Sequence, residues 1–95
     1  MPEVLSDIAI QRALGTLDGW SRRADALVKT YTFRTFPEAI GFVNRVAGAA
    51  EAAGHHPDLD IRYNKITAAL STHSAGGITQ NDFDLAAAMD ELESD

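Results

Sequence analysis

Ninety-five residues with a net charge of −6, 45% hydrophobic and 23% charged, fit one soluble domain, and the absence of cysteine excludes disulfides and thiolate metal sites. The acidic balance argues against nucleic acid as a direct partner, because phosphate neutralisation needs excess Lys and Arg. No stretch approaches the ~20 apolar residues of a membrane span, and the N-terminus lacks a basic region followed by an apolar run, so no signal peptide and a cytoplasmic location are expected.

Residues 5–14 have the pattern of a short helix. Ser6 is placed to cap it, Ile10, Ala13, Leu14 and Leu17 share one apolar face, and Gly15 is a stop. Trp20 to Phe33 reads as a β-hairpin turning near Ala24-Asp25. Its second arm alternates, with Lys29, Tyr31 and Phe33 on one face and Val28, Thr30 and Thr32 on the other. Thr35 and Glu38 form a capping-box pattern with Pro37 in the first turn. The helix they open runs to about Ala53, with Ala39, Phe42, Val43, Val46, Ala47 and Ala50 as its apolar stripe and Gly54 as its stop.

Residues 59–63 and 66–72 read as a second strand pair around Asn64-Lys65, which puts His73 at a strand end; Asn tolerates the left-handed backbone of such a turn. Residues 74–77 form a loop. Thr79 and Asp82 then cap a last helix whose buried face is Leu85, Ala86, Met89 and Leu92, and the acidic tail from Asp90 to Asp95 is expected to fray. The predicted class is α+β: one domain over 1–95, an N-terminal helix followed by β-β-α-β-β-α. A four-stranded antiparallel sheet carries helices on one face, leaving the other face or an edge for self-association.

The chain has three histidines, and they fall within nineteen residues: His55, His56 and His73. Imidazole titrates near neutral pH. A lone histidine after a helix is commonly a favourable cation at the dipole's negative end. An adjacent pair pinned by Pro57, with a third histidine on a strand that returns toward it, points instead to a site. Three imidazoles and Glu51 are a legitimate zinc set, but adjacent residues in extended backbone point apart and no specified ligand spacing is met. Glu51 and His55, one helical turn apart, suit an orienting hydrogen bond equally well. Ser71 and Thr72 beside His73 lack the strand–elbow–helix context of a nucleophile. Gly76-Gly77 reads as a chain turn rather than an anion site, and Arg22-Arg23 as a solvated hairpin surface. General acid–base chemistry is what remains.

Glu51, three spacers, His55-His56-Pro57, five spacers, Tyr63, nine spacers, His73, eight spacers and Asp82 together resemble the pterin-4a-carbinolamine dehydratase family. Trp20, Phe42-Val43 and Arg45-Val46-Ala47 extend the resemblance upstream. It implies the same fold and the dehydration of 4a-hydroxytetrahydropterin to quinonoid dihydropterin, in recycling of the pterin used by aromatic amino-acid hydroxylases. No metal or organic cofactor is implied. His55, His56 and His73 would be the catalytic set, with Glu51, Pro57, Ser71, Thr72 and Asp82 supporting them or binding substrate. The resemblance further implies a homodimer or homotetramer. Relatives of this fold also act as dimerisation partners of a transcription factor or as assembly factors, so a non-catalytic binding module is the alternative. The chain departs from the family pattern at Gly54, often acidic, at Leu59, commonly aromatic, and at Asn81, often Arg. An aromatic at 59 would stack on a pterin.

Overall fold

The computed structural model describes residues 3–93. It contains α1 (Asp7–Leu14), β1 (Ser21–Arg23), β2 (Ala26–Thr32), α2 (Phe36–Ala53), β3 (Asp58–Arg62), β4 (Lys65–Leu70) and α3 (Gln80–Leu92), with a one-turn 3-10 helix at His73–Ala75. The four strands form one sheet in the order β1-β2-β4-β3, every neighbouring pair antiparallel. This is the predicted α+β architecture. No helix is long and apolar enough to cross a membrane among the described residues.

Local chemistry sets most of the boundaries. Ser6 Oγ accepts from Ala9 N at 3.1 Å and opens α1. Thr35 Oγ1 accepts from Glu38 N at 3.2 Å and opens α2, with a proline in its first turn. Only this half of the expected capping box forms there, because the Glu38 carboxylate turns instead to Arg34 at 3.4 Å. At the first hairpin the turn falls on Ala24-Asp25, as expected, and Ala24 takes φ 54°.

The second hairpin differs from the sequence reading. Its turn is Tyr63-Asn64, closed by the Arg62–Lys65 pair, and Tyr63 rather than Asn64 takes the left-handed backbone, at φ 53°. Asn64 is needed elsewhere: its Nδ2 donates to Phe33 O at 2.7 Å and its carbonyl accepts from Phe33 N at 2.9 Å, tying the hairpin to the end of β2. Strand β4 also stops earlier than expected, at Leu70. Leu70 pairs with Leu27, one residue from the start of β2 at Ala26, so almost no strand remains beside residues 71 and 72.

Leu27 and Tyr31 of β2 and Ile66, Ala68 and Leu70 of β4 cluster with Phe42 and Val46 of α2 and with Phe83, Ala86 and Met89 of α3. The buried stripe of α2 is narrower than its sequence suggests, since Ala47 is exposed. The opposite sheet face carries Val28, Thr30, Thr67 and Ala69, with Thr30 and Thr67 hydroxyls 2.9 Å apart.

The acidic tail is not uniformly frayed. Asp90, near the end of α3, accepts from Trp20 Nε1 at 3.1 Å, from Lys29 Nζ at 2.8 Å and from Tyr31 OH at 2.6 Å. Lys29 Nζ also lies 4.7 Å from the Tyr31 ring centroid. The carboxylate thereby fastens α3 to the first hairpin, a link no local pattern announces. Ser94 and Asp95 lie outside the described residues.

Replacing Asp90 with Ala strands the Trp20 and Tyr31 donors, while Lys29 Nζ keeps Asp18 O at 3.1 Å, and is expected to cost about 3 kcal/mol, read as a lower urea midpoint; a shift near zero contradicts the anchoring role. Burial first, then the hydrogen bond and charge of Asp90, push the Tyr31 phenol well above its ordinary value. A phenol that ionises more readily in the unfolded chain pulls the equilibrium toward unfolding as pH rises. Its contribution is therefore intact below about pH 10 and declines above it by up to about 1.4 kcal/mol per pH unit. Urea titrations on either side of about pH 10 should show this decline, and Tyr31→Phe should remove its share.

Candidate active site

The end of α2 determines where the first two histidines go. Gly54 takes φ 64° as the left-handed cap. Its N–H donates to Glu51 O at 3.2 Å, and His55 N donates to Ala50 O at 3.1 Å. These are the two bonds of a Schellman motif, which glycine permits at no steric cost. Because the helix ends there, His55 is no longer one turn above Glu51. The expected Glu51–His55 pair is replaced: His56 Nε2 meets Glu51 Oε1 at 2.8 Å, and His55 turns inward. The adjacent rings do point apart, as the backbone argument required.

The partner of His55 is Asp82, whose Oδ1 lies 2.5 Å from His55 Nε2. Asp82 occupies the third position of α3, where Thr79 and Asp82 complete the predicted capping box. Its Oδ2 accepts from Thr79 N at 2.9 Å and from Thr72 Oγ1 at 2.8 Å. The Thr72 and Thr79 hydroxyls are 2.7 Å apart. Asp82 and Thr79 are both 0% exposed, so the carboxylate is satisfied by protein donors in place of water. The Glu51–His56 pair is the opposite case, with side chains 81% and 64% exposed, and contributes little to stability.

His73 does not end a strand. With β4 finished at Leu70, Thr72 bonds across a tight loop to Gly77, its N–H donating to Gly77 O at 2.9 Å. His73 opens the 3-10 turn inside that loop, which closes at Gly76 with φ 79°. The His73 ring is exposed, and no hydrogen bond joins it to either other histidine among the described residues. What relates it to them is Thr72, its neighbour in sequence, which holds the same carboxylate as His55. Pro57 and Ser71 are half-buried, at the two ends of the β3–β4 hairpin. No group of three His, Asp or Glu side chains that could hold a metal ion occurs among the described residues.

An open cavity of about 250 Å³ lies between α2 and α3, lined by Ala49, Ala53, His55, Asn81, Asp84, Leu85 and Ala88. His56 and His73 do not line it, so it adjoins the histidine corner without enclosing it. The sequence marks Thr79 only as a helix cap, and its place in the hydrogen-bonded group around Asp82 is not read from it. The Thr79–Asp82 spacing was the available signal, since one carboxylate serving a capping box still has an oxygen to offer. Leu59, at the position often aromatic in the family pattern, packs half-buried against the core and pairs with Ala68.

The family model described as pterin 4 alpha carbinolamine dehydratase matches residues 3–92. A protein of Roseiflexus castenholzii named "Putative pterin-4-alpha-carbinolamine dehydratase" is 54% identical over 97% of this chain and 99% of its own length. One of the same name from Nocardia farcinica is 54% identical over 95% of each chain. Among solved structures, a transcriptional coactivator/pterin dehydratase from Brucella melitensis superposes with a TM-score of 0.93 at 32% identity, covering 96% of this chain and 99% of that one. A pterin dehydratase-like RuBisCO assembly factor of the alpha-carboxysome shares the fold at a TM-score of 0.65 and 20% identity, covering 78% of this chain and 86% of that one. The chain belongs to the pterin 4 alpha carbinolamine dehydratase family.

Proposed function

We propose that this protein dehydrates 4a-hydroxytetrahydropterin to quinonoid dihydropterin by histidine general acid–base catalysis. The observation that carries the reading is the shared hold on Asp82: His55 from the α2 corner and Thr72 from the segment bearing His73 meet on one buried carboxylate. This draws the two histidine-bearing segments, separated in sequence by the β3–β4 hairpin, toward one place.

The reaction needs one proton delivered and one removed. The C4a–O bond breaks as the departing hydroxyl takes a proton and leaves as water. The N5 lone pair forms the C4a=N5 double bond, and the N5 proton passes to a base. Imidazole serves in both roles near neutral pH, as imidazolium for the first and as neutral ring for the second. His55 and His56 each have Nε2 engaged by a carboxylate and Nδ1 remaining, whereas His73 keeps an exposed ring. Glu51 and Asp82 act by orienting rings, in the manner of a carboxylate behind a catalytic histidine. Such an enzyme works beside a hydroxylase that produces the carbinolamine.

The Brucella melitensis protein is described both as a coactivator and as a pterin dehydratase. That description supports a binding role on this fold beside the enzymatic one, and a binding module without turnover is the second reading.

The decay of enzymatically generated 4a-carbinolamine, followed by absorbance with and without the protein, separates these readings. Clear acceleration is expected; decay at the buffer rate overturns the enzyme reading, and a stable hetero-partner recovered by such an inactive protein supports the second. His73→Ala is expected to lower the rate by about 10²-fold or more while leaving the urea midpoint in place, because the ring is exposed and removes no core contact. Glu51→Gln, at an exposed pair, should change stability by less than about 1 kcal/mol.

A further inference from the structure

The hydrogen atoms around Asp82 can be assigned by counting. Asn81 N donates to Thr79 Oγ1 at 3.2 Å, so that hydroxyl already accepts. A threonine hydroxyl has one hydrogen. Thr72 Oγ1 spends its hydrogen on Asp82 Oδ2 at 2.8 Å, so the 2.7 Å contact between the two hydroxyls must be donated by Thr79. Thr79 N donates to the same Oδ2 at 2.9 Å. The donors therefore run one way, from Thr79 to Thr72 to Asp82. Oδ2 holds two of them, which suits an ionised carboxylate lying at the N-terminus of α3. An ionised Oδ1 can only accept, so the hydrogen in its contact with His55 belongs to the ring nitrogen.

We propose that Thr72 and Thr79 are positioning residues that place a hydrogen of His55 on Nε2, so that in the neutral ring Nδ1 is the bare nitrogen left for substrate. Without the Thr72 donor, a second arrangement with the same number of protons competes: Asp82 protonated and donating to a bare Nε2, with the hydrogen of His55 on Nδ1. That form presents a donor where the first presents an acceptor, so the two are not interchangeable in proton transfer. Thr72 acts at a distance, through Asp82, and need not touch the pterin. The kinetic consequence rests on the dehydratase reading, whereas the ring state does not.

Long-range 1H–15N correlation spectra distinguish the two ring forms, and with three histidines in the chain, single substitutions at His56 and His73 assign the signals. With the ring neutral, the wild-type protein is expected to show His55 protonated at Nε2 and unprotonated at Nδ1. In Thr72→Val part of that pattern should reverse, and kcat should fall by about 10–100-fold with KM little changed. Thr72→Ser keeps the donor and should restore both the spectrum and most of the turnover. The proposal is overturned if wild-type His55 carries its hydrogen on Nδ1, or if a folded Thr72→Val protein retains the wild-type ring pattern. Should Thr72→Val fail to fold, the wild-type spectrum and Thr72→Ser still decide: a reversed pattern in either overturns the proposal, and the Nε2–H pattern in both supports it. A wild-type protein with the Nε2–H pattern but no carbinolamine turnover removes the dehydratase reading and leaves the assignment of His55 standing.

Discussion

A carboxylate cut off from water needs hydrogen-bond donors on both oxygens, and Asp82 draws three of them from three parts of the chain. The backbone of the α3 cap, the hydroxyl of Thr72 and the ring of His55 converge on its two oxygens. Each donor fixes something different. The cap sets where α3 begins, Thr72 sets how the segment after β4 turns, and His55 sets how the chain leaves α2. Breaking such a group by removing the carboxylate strands buried donors, which is more damaging than the loss of a comparable exposed pair. Helix start, loop closure and ring orientation are thus consequences of one desolvated charge.

The same helix carries a second carboxylate with a different purpose. Asp90 gathers Trp20, Lys29 and Tyr31 and belongs to the N-terminal hairpin and its core. Tyr31 lies between the layers, its ring 4.6 Å from that of Phe42 and its hydroxyl on Asp90. One end of α3 serves the candidate chemistry and the other serves the packing of the sheet. Arg45 Nε, donating to Leu92 O at 3.0 Å, adds a tie from α2 near the same packing end.

Elements governed by neighbours a few residues away were legible in the sequence. Ser6, Thr35, Thr79 and Gly54 act within one helical turn, so their spacing alone places the helix ends. The alternation of β2 and the Ala24-Asp25 turn are equally local. The departures arise where a distant partner decides. Asn64 bonds to Phe33 and leaves the left-handed turn position to Tyr63. The end of β4 depends on how far β2 extends beside it, which moved His73 from a strand into a 3-10 turn. Asp90 looked like tail because nothing near it in sequence names Trp20 or Tyr31 as donors. At the site, the register singled out His55, His56, His73, Glu51 and Asp82, but the pairing of His55 with Asp82 was not readable from it, and His73 stands apart with an exposed ring. Whether His55 or His56 meets Glu51 turns on the direction the chain takes after Gly54.

Two carboxylates just over two helical turns apart on α3 clamp it to different layers of the molecule. A helix residue added between them would advance Asp90 by about 1.5 Å and swing it by about 100°. It could then no longer reach Trp20 and Tyr31 while Asp82 stayed on His55. The segment from 82 to 90 is therefore fixed in length as well as in composition. The exposed turn at Ala24-Asp25 carries no comparable two-ended restraint, unlike Tyr63-Asn64, which is tied to Phe33. Insertions and fused sequences belong at that first hairpin tip, where the chain can grow without changing the distance between the two clamped ends.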